Sequence, residues 1–261
     1  MGKINFRISY LLILIFFSGN FIYSQNYTIG YDVKFRPKVE DSTKVFEKYL
    51  LNINAETKES FFKFQDLNYS DFNANIFKNS SKDIFKKYEM ILYKFYSSDY
   101  LFPTKWELLK QKKEILGHKC ENASISFGGR EWIAWYTMEI PIQDGPYKFS
   151  GLPGLILEIS SNDNDYQFFA TSIEKKTDAI KPFPAIPMGN LQKEITFKEN
   201  IIREPAAQYK QNLMQSNMKV SVSFNGKQSS DKEIIETINS SFLEWMEGHN
   251  NPIEKGMIWV K

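Results

Sequence analysis

The chain has 261 residues, 42% of them apolar and 16% aromatic, enough to bury one large core or two small ones. Its net charge is only +2, and setting aside Lys3 and Arg7 leaves 31 residues of each sign, which argues against a nucleic-acid binder or a polybasic membrane dock. Phe and Tyr supply most of the aromatic excess, a composition that leans toward sheet.

Residues 1–24 read as a signal peptide. Lys3 and Arg7 give a positive start, residues 8–17 are apolar except for Ser9, and Ser18, Gly19 and Asn20 turn the chain before a cut placed ahead of Gln25. The apolar run is short for a bilayer span, and no later stretch is long and apolar enough to make one. Residues 25–261 are therefore expected to form one exported domain, periplasmic or at the cell surface. Cys120 is the only cysteine, so an internal disulfide is excluded.

Strands are expected over 27–36, stopped by Pro37, over 43–53, and over 59–65, where Phe61, Phe62 and Phe64 cluster. Residues 66–82 read as a polar loop and 84–96 as one further strand. Residues 106–116 suit either a turn of helix or an edge strand. From 120 to 127 the pattern alternates, with Ala123, Ile125 and Phe127 on one face, and Gly128-Gly129 suits a two-residue hairpin turn. The return over 131–140 puts Trp132, Ala134, Tyr136, Met138 and Ile140 on one face and Trp135 on the other, before Pro141 ends it. Gly145, Pro146, Gly151, Pro153 and Gly154 then form a turn-rich segment. Pro153-Gly154 predicts a type II turn with positive φ at Gly154. Leu155, Leu157 and Ile159 follow on one strand face, with Ile156 and Glu158 on the other. Residues 162–165 turn the chain into a last strand over 166–174, completing a four-strand antiparallel meander. The prolines at 182, 184 and 187 make a stiff connector to a helical tail from about 193. There Pro205 opens a helix to about Met214, and residues 220–224 suit a short strand. Ser230 with Glu233 forms a capping box for a helix whose face is traced by Ile234, Ile235, Ile238, Phe242, Leu243, Trp245 and Met246, closed by Gly248. The expected fold is α+β and β-rich: a curved antiparallel sheet with C-terminal helices packed on or beside it.

Catalytic parts are scarce. The chain has two histidines, His118 and His249, and lacks HExxH, GxSxG, CxxC and Walker patterns. His118 and Cys120 share a strand face and form a weak candidate for Cu(I) or Zn; two ligands alone do not close a metal site. The plain reading is a surface histidine beside a buried thiol. Side chains at i and i+2 stand roughly 6–7 Å apart, too far for direct proton transfer between the two. Arg130, Trp135, Tyr136, Asp144 and Tyr147 around the hairpin are the candidate ligand-binding residues, with core packing as the plain reading for Tyr136. Arg130 either pairs with Asp144 across the turn or grips a carboxylate. No cofactor is indicated.

Several motifs together resemble the GLPGLI family: Gly117-His118-Lys119-Cys120, Phe127-Gly128-Gly129-Arg130, Ala134-Trp135-Tyr136-Thr137, Glu139-Ile140-Pro141-Ile142, Gly145-Pro146-Tyr147-Lys148-Phe149, and residues 151–156, which spell the name. His118 stands where that family usually shows an aromatic residue, which weakens a metal site built on it. The resemblance implies an exported protein of Bacteroidetes-type bacteria and of unknown function; it supplies no reaction. The leading expectation is a non-enzymatic envelope protein that binds a peptide, an apolar ligand or a partner protein on an open sheet face. The alternatives are a hydrolase or peptide-processing factor using Cys120, Glu139 or Asp144, and a copper- or zinc-handling protein.

Overall fold

The computed structural model describes residues 26–66, 70–101, 105–176, 178–215, 223–224 and 227–256; the expected leader lies outside them. Its strands are β1 (Tyr27–Phe35), β2 (Val45–Asn54), β3 (Glu59–Phe64), β4 (Asn75–Asn79), β5 (Ile84–Ile91), β6 (Lys94–Asp99), β7 (Glu107–Ile115), β8 (His118–Phe127), β9 (Arg130–Thr137), β10 (Leu155–Ser161), β11 (Tyr166–Glu174) and β12 (Ile186–Gly189). The helices are α1 (Leu191–Arg203), α2 (Ala207–Gln215) and α3 (Asp231–Gly248), and β13 (Ser223–Phe224) pairs with β14 (Lys227–Gln228).

The first twelve strands form one sheet in the order β12-β6-β5-β4-β3-β2-β1-β11-β10-β9-β8-β7. Every pairing is antiparallel except β12 on β6. The predicted meander is present as β8 to β11, closed on its far side by β1. Edge strand β7 resolves the choice left open at 106–116.

Four expectations need correction. The polar segment 66–82 contains β4, whose Asn75, Lys78 and Asn79 are buried yet hydrogen-bonded, so polarity hid a strand that sits inside the sheet. The single strand expected over 84–96 is a hairpin, β5 and β6, turning at Leu92-Tyr93 with both φ positive (45° and 64°). The helical tail holds a helix, α1, ahead of the one expected to open at Pro205, capped by Asn190, whose side chain accepts from Lys193 N. Met138, expected on the buried face, is exposed because β9 ends at Thr137.

The segment between β9 and β10 differs from its predicted geometry in an instructive way. Gly151, not Gly154, has the positive φ (89°). Pro153 centres a tighter turn in which Gly154 N donates to Leu152 O at 2.7 Å. Gly154 is needed for space: a Cβ there would lie 2.1 Å from the Thr137 carbonyl oxygen. A bulge at Leu157 then pairs Ile156 with Tyr136 and Glu158 with Trp135, so Ile156 turns inward rather than outward.

That segment lies across the inner face of the sheet. Ile140, Tyr147, Phe149 and Leu152 are buried in the same core as Tyr31, Tyr49, Phe62 and Trp132. The Tyr31 hydroxyl donates to Ile156 O at 2.5 Å. At the far side, Lys78 of β4 donates to the Asp144 carboxylate and, at 2.7 Å, to Gly145 O, both groups being buried. Helix α3 covers a different area, packing Phe242 and Met246 on Ile91 and Met188. The inner face is therefore filled by the β9–β10 segment rather than by α3, and it is not open. On the outer face, Phe183 of the connector stacks on Phe95 at 4.8 Å and meets Phe61 at 5.2 Å.

Replacing Gly154 with Ala is expected to lower stability by about 3 kcal/mol, the upper end of overpacking penalties, because the clash is with backbone. A urea midpoint within error of wild type would refute this packing account.

Candidate functional site

Most of the sequence-predicted site residues serve the interior. Arg130 is buried and donates to Asp163, to Asp165 at 3.1 Å, to Asn251 Oδ1 at 2.6 Å and to the carbonyls of Pro252 and Ile253. Its expected partner Asp144 is instead held by Lys78. Tyr136 is in the core, and the Tyr147 hydroxyl donates to Glu254. Trp135 faces outward with the Lys113 ammonium 4.3 Å above its ring, and Lys113 in turn reaches Glu158 at 2.7 Å. His118 Nδ1 lies 2.8 Å from Glu139 Oε2. Burial pushes the Cys120 thiol up to about 11, which leaves very little nucleophilic thiolate at neutral pH. Among the described residues, no group of three or more His, Cys, Asp or Glu is placed to hold a metal ion.

The structure assembles a different site where α1, α3 and the segment 249–256 meet the inner face of β5. Strand alternation aims Lys87 and Glu89 inward. Helix α1 supplies Glu194 and Lys198, one turn apart. Lys87 lies 2.6 Å from Glu194 and 3.3 Å from Glu89; Lys198 lies 2.8 Å from both glutamates. Beside them the Lys148 ammonium donates to Glu254 at 2.5 Å. Burial drives Lys87, Lys148, Glu194, Lys198 and Glu254 toward neutrality, and the paired charges oppose it. At Lys198 and Lys148 burial prevails and the ammonium is held below the usual lysine range. At Lys87, Glu89 and Glu194 overcome burial and the pKa is raised; at Glu194, Lys87 and Lys198 overcome it and the carboxyl is lowered. The arrangement keeps charge in the interior at the border of a cavity of about 100 Å3, which Asp71, Tyr147 and His249 also line.

An apolar groove of about 350 Å3 adjoins it between the β5–β6 hairpin and α3. Met90, Ile91, Leu92 and Tyr93 form one wall; Ile238, Phe242 and Trp245 form the other. Asn73 and Trp245 border both spaces. Asn73 is clipped to β5 in both directions, its Nδ2 donating to Met90 O and its Oδ1 accepting from Met90 N, each at 2.8 Å. It has φ +46°, a conformation asparagine tolerates. The hairpin tip is strained. Two positive-φ positions favour Asn-Gly, yet Leu92 and Tyr93 occupy them, and Tyr93 is 96% exposed at the groove mouth.

Of this site, the sequence reading had only Tyr147 as a binding candidate. The helical face through Ile238, Phe242 and Trp245 was visible as a packing stripe. Lys87, Glu89, Glu194 and Lys198 gave no signal, because charged residues on a strand and on a polar helix read as solvated faces.

Residues 128–158 match the model of a family described as a protein of unknown function (Porph_ging). That stretch runs from the β8–β9 turn into β10 and holds the segment that fills the sheet. No curated protein matches the chain. Among solved structures, PNGF-II aligns with a TM-score of 0.50 and 15% identity, covering 65% of this chain and 32% of that one, so the chain spans about a third of PNGF-II. An uncharacterized conserved protein from Thermus thermophilus aligns at TM-score 0.39 and 7% identity over 64% of this chain and 91% of that one. A LolA superfamily protein from Nitrosomonas europaea aligns at 0.28 and 6% over 62% and 89%. The PNGF-II likeness concerns the fold alone; the other two are too distant to add to it.

Two outcomes follow from these geometries. Iodoacetamide is expected to label folded Cys120 at pH 7.5 at least a hundredfold more slowly than the urea-unfolded chain, and equal rates would contradict its burial and raised pKa. Burial alone raises Asp163, but the Ser161 hydroxyl, the Asp165 N–H and Arg130 hold its carboxyl at about 2. A depressed carboxyl contributes stability above its unfolded value and loses it as pH falls toward the folded one. The urea midpoint is therefore expected to drop between about pH 4 and pH 2, and less steeply in Asp163→Asn; identical slopes would exclude the assignment.

Proposed function

We propose that this chain is an exported, non-enzymatic binding protein that takes an apolar peptide segment or other apolar ligand in the groove between α3 and the β5–β6 hairpin. The observation that carries the reading is the contrast between the two apolar surfaces. The inner sheet face is consumed by Tyr147, Phe149 and Leu152. The groove leaves Ile238 and Trp245 half-buried beside Tyr93, which faces solvent. Apolar, concave and bordered by polar groups, it has the composition of a small-ligand site.

The strained hairpin tip supports the same reading. Holding Leu and Tyr at positive φ costs of order 1–2 kcal/mol per residue, a cost that packing does not explain for an exposed Tyr93. Export is proposed from the leader. The enzymatic alternative finds little support: the thiol is raised, Asp144 is tied to Lys78, and Glu139 to His118.

The test is calorimetric titration with the apolar peptide Leu-Leu-Phe-Ala. Ile238→Lys is expected to weaken binding at least tenfold. Replacing Leu92-Tyr93 with Asn-Gly is expected to raise stability by about 1 kcal/mol while weakening the same binding severalfold. Wild-type affinity in both variants would remove the groove from consideration.

A further inference from the structure

Two residues at the tip of the β5–β6 hairpin are ill suited to the backbone they adopt. The register pairs Ile91 with Lys94, which leaves Leu92 and Tyr93 as a two-residue loop. Such a loop favours positive φ at both positions, and φ is 45° at Leu92 and 64° at Tyr93. Glycine and asparagine adopt that conformation cheaply; leucine and tyrosine do not. Leu92 gains something in return, since it packs against the cluster of Ile91, Met188, Phe242 and Met246. Tyr93 has no comparable contact. It is 96% exposed, and among the described residues its ring pairs with no other ring and its hydroxyl has no hydrogen-bond partner. A strained position that serves no contact in the empty protein is characteristic of clamps and switches.

The surroundings hold the base of the hairpin still and leave its apex free. Asn73 grips Met90 N and O at 2.8 Å each, just ahead of the loop. Tyr93 borders the groove whose other wall is Ile238 and Phe242. Rotation about its side-chain bonds carries the ring between solvent and the groove mouth without breaking a ladder hydrogen bond. Ser241, on the α3 wall, offers a hydroxyl that has no partner among the described residues for the phenol to meet. A tyrosine suits such a cover, because its body is apolar and its tip tolerates water.

We infer, resting on the groove reading above, that Tyr93 is the lid of the groove. In the empty protein its ring stands in solvent. Over an apolar peptide it folds across the mouth toward Ser241 and encloses the peptide's side chains against Ile238 and Phe242. The hairpin register keeps the Tyr93 backbone at the rim, so the side chain alone moves. A lid of this kind acts on the escape of the peptide rather than on its entry.

Nitration by tetranitromethane, read at Tyr93 by peptide mass mapping, tests this with Leu-Leu-Phe-Ala as the probe. Peptide at about ten times its dissociation constant is expected to slow nitration of Tyr93 about tenfold, the factor by which the unoccupied fraction falls. In stopped flow, Tyr93→Ala is expected to raise the dissociation rate of the peptide about tenfold and to leave the association rate within about twofold of wild type. Undiminished nitration in the presence of bound peptide, or an unchanged dissociation rate in Tyr93→Ala, overturns the lid; the groove reading stands in that case, because the wild-type chain still binds the peptide. Failure of the peptide to bind the wild-type chain overturns the lid together with the groove reading.

Discussion

The buried pair between Lys78 and Asp144 is the constraint on which the rest depends. It joins β4, in one half of the sheet, to the segment between β9 and β10 in the other. Burial lowers the Lys78 pKa, and the Asp144 charge works against that loss. Breaking such a pair from one side leaves a charge without compensation in the interior, typically a cost of about 3–5 kcal/mol. The pair therefore fixes where the segment lies, and the segment's position determines that Tyr147 and Phe149 occupy the inner face.

Once that face is filled, everything else is arranged at its border. Tyr147 and Lys148 leave the segment toward Glu254, which brings the C-terminal residues onto the sheet. Arg130 secures the same residues from the other side through Asn251, Pro252 and Ile253. Helix α1 adds Glu194 and Lys198 against Lys87 and Glu89, while α3 lies over the end of the sheet and leaves a groove beside the β5–β6 hairpin. A sheet that could have kept an open apolar face in its centre leaves its apolar groove at the rim instead.

The parts legible in the sequence were those set by local chemistry. The β8–β11 meander announced itself through period-2 alternation and glycine turns, and the α3 capping box through Ser230 and Glu233. The parts that were not legible depend on partners far along the chain. Strand β4 looks like loop because Asn75 and Lys78 are polar, and only distant groups make their burial tolerable. The β5–β6 turn lacks any Gly or Asn to mark it. Helix α1 interleaves buried Glu194 and Lys198 with half-buried Phe197, Ile201 and Ile202, which breaks up the usual apolar stripe. Arg130 was expected to pair with Asp144 or to grip a carboxylate ligand, yet its carboxylate partners sit 33 and 35 residues on rather than across the nearest turn. The cleft itself combines three segments that are remote in sequence, so no motif could spell it.

The central claim, that the sheet interior is sealed and binding belongs to the rim, is tested most directly by methyl and indole NMR shift mapping during titration with an apolar peptide. The account predicts perturbations at Met90, Ile91, Ile238 and Trp245, with Leu152, Leu155 and Ile156 unmoved. Perturbations centred on Leu152, Leu155 and Ile156 would contradict it, because they would place the ligand where the β9–β10 segment is supposed to lie.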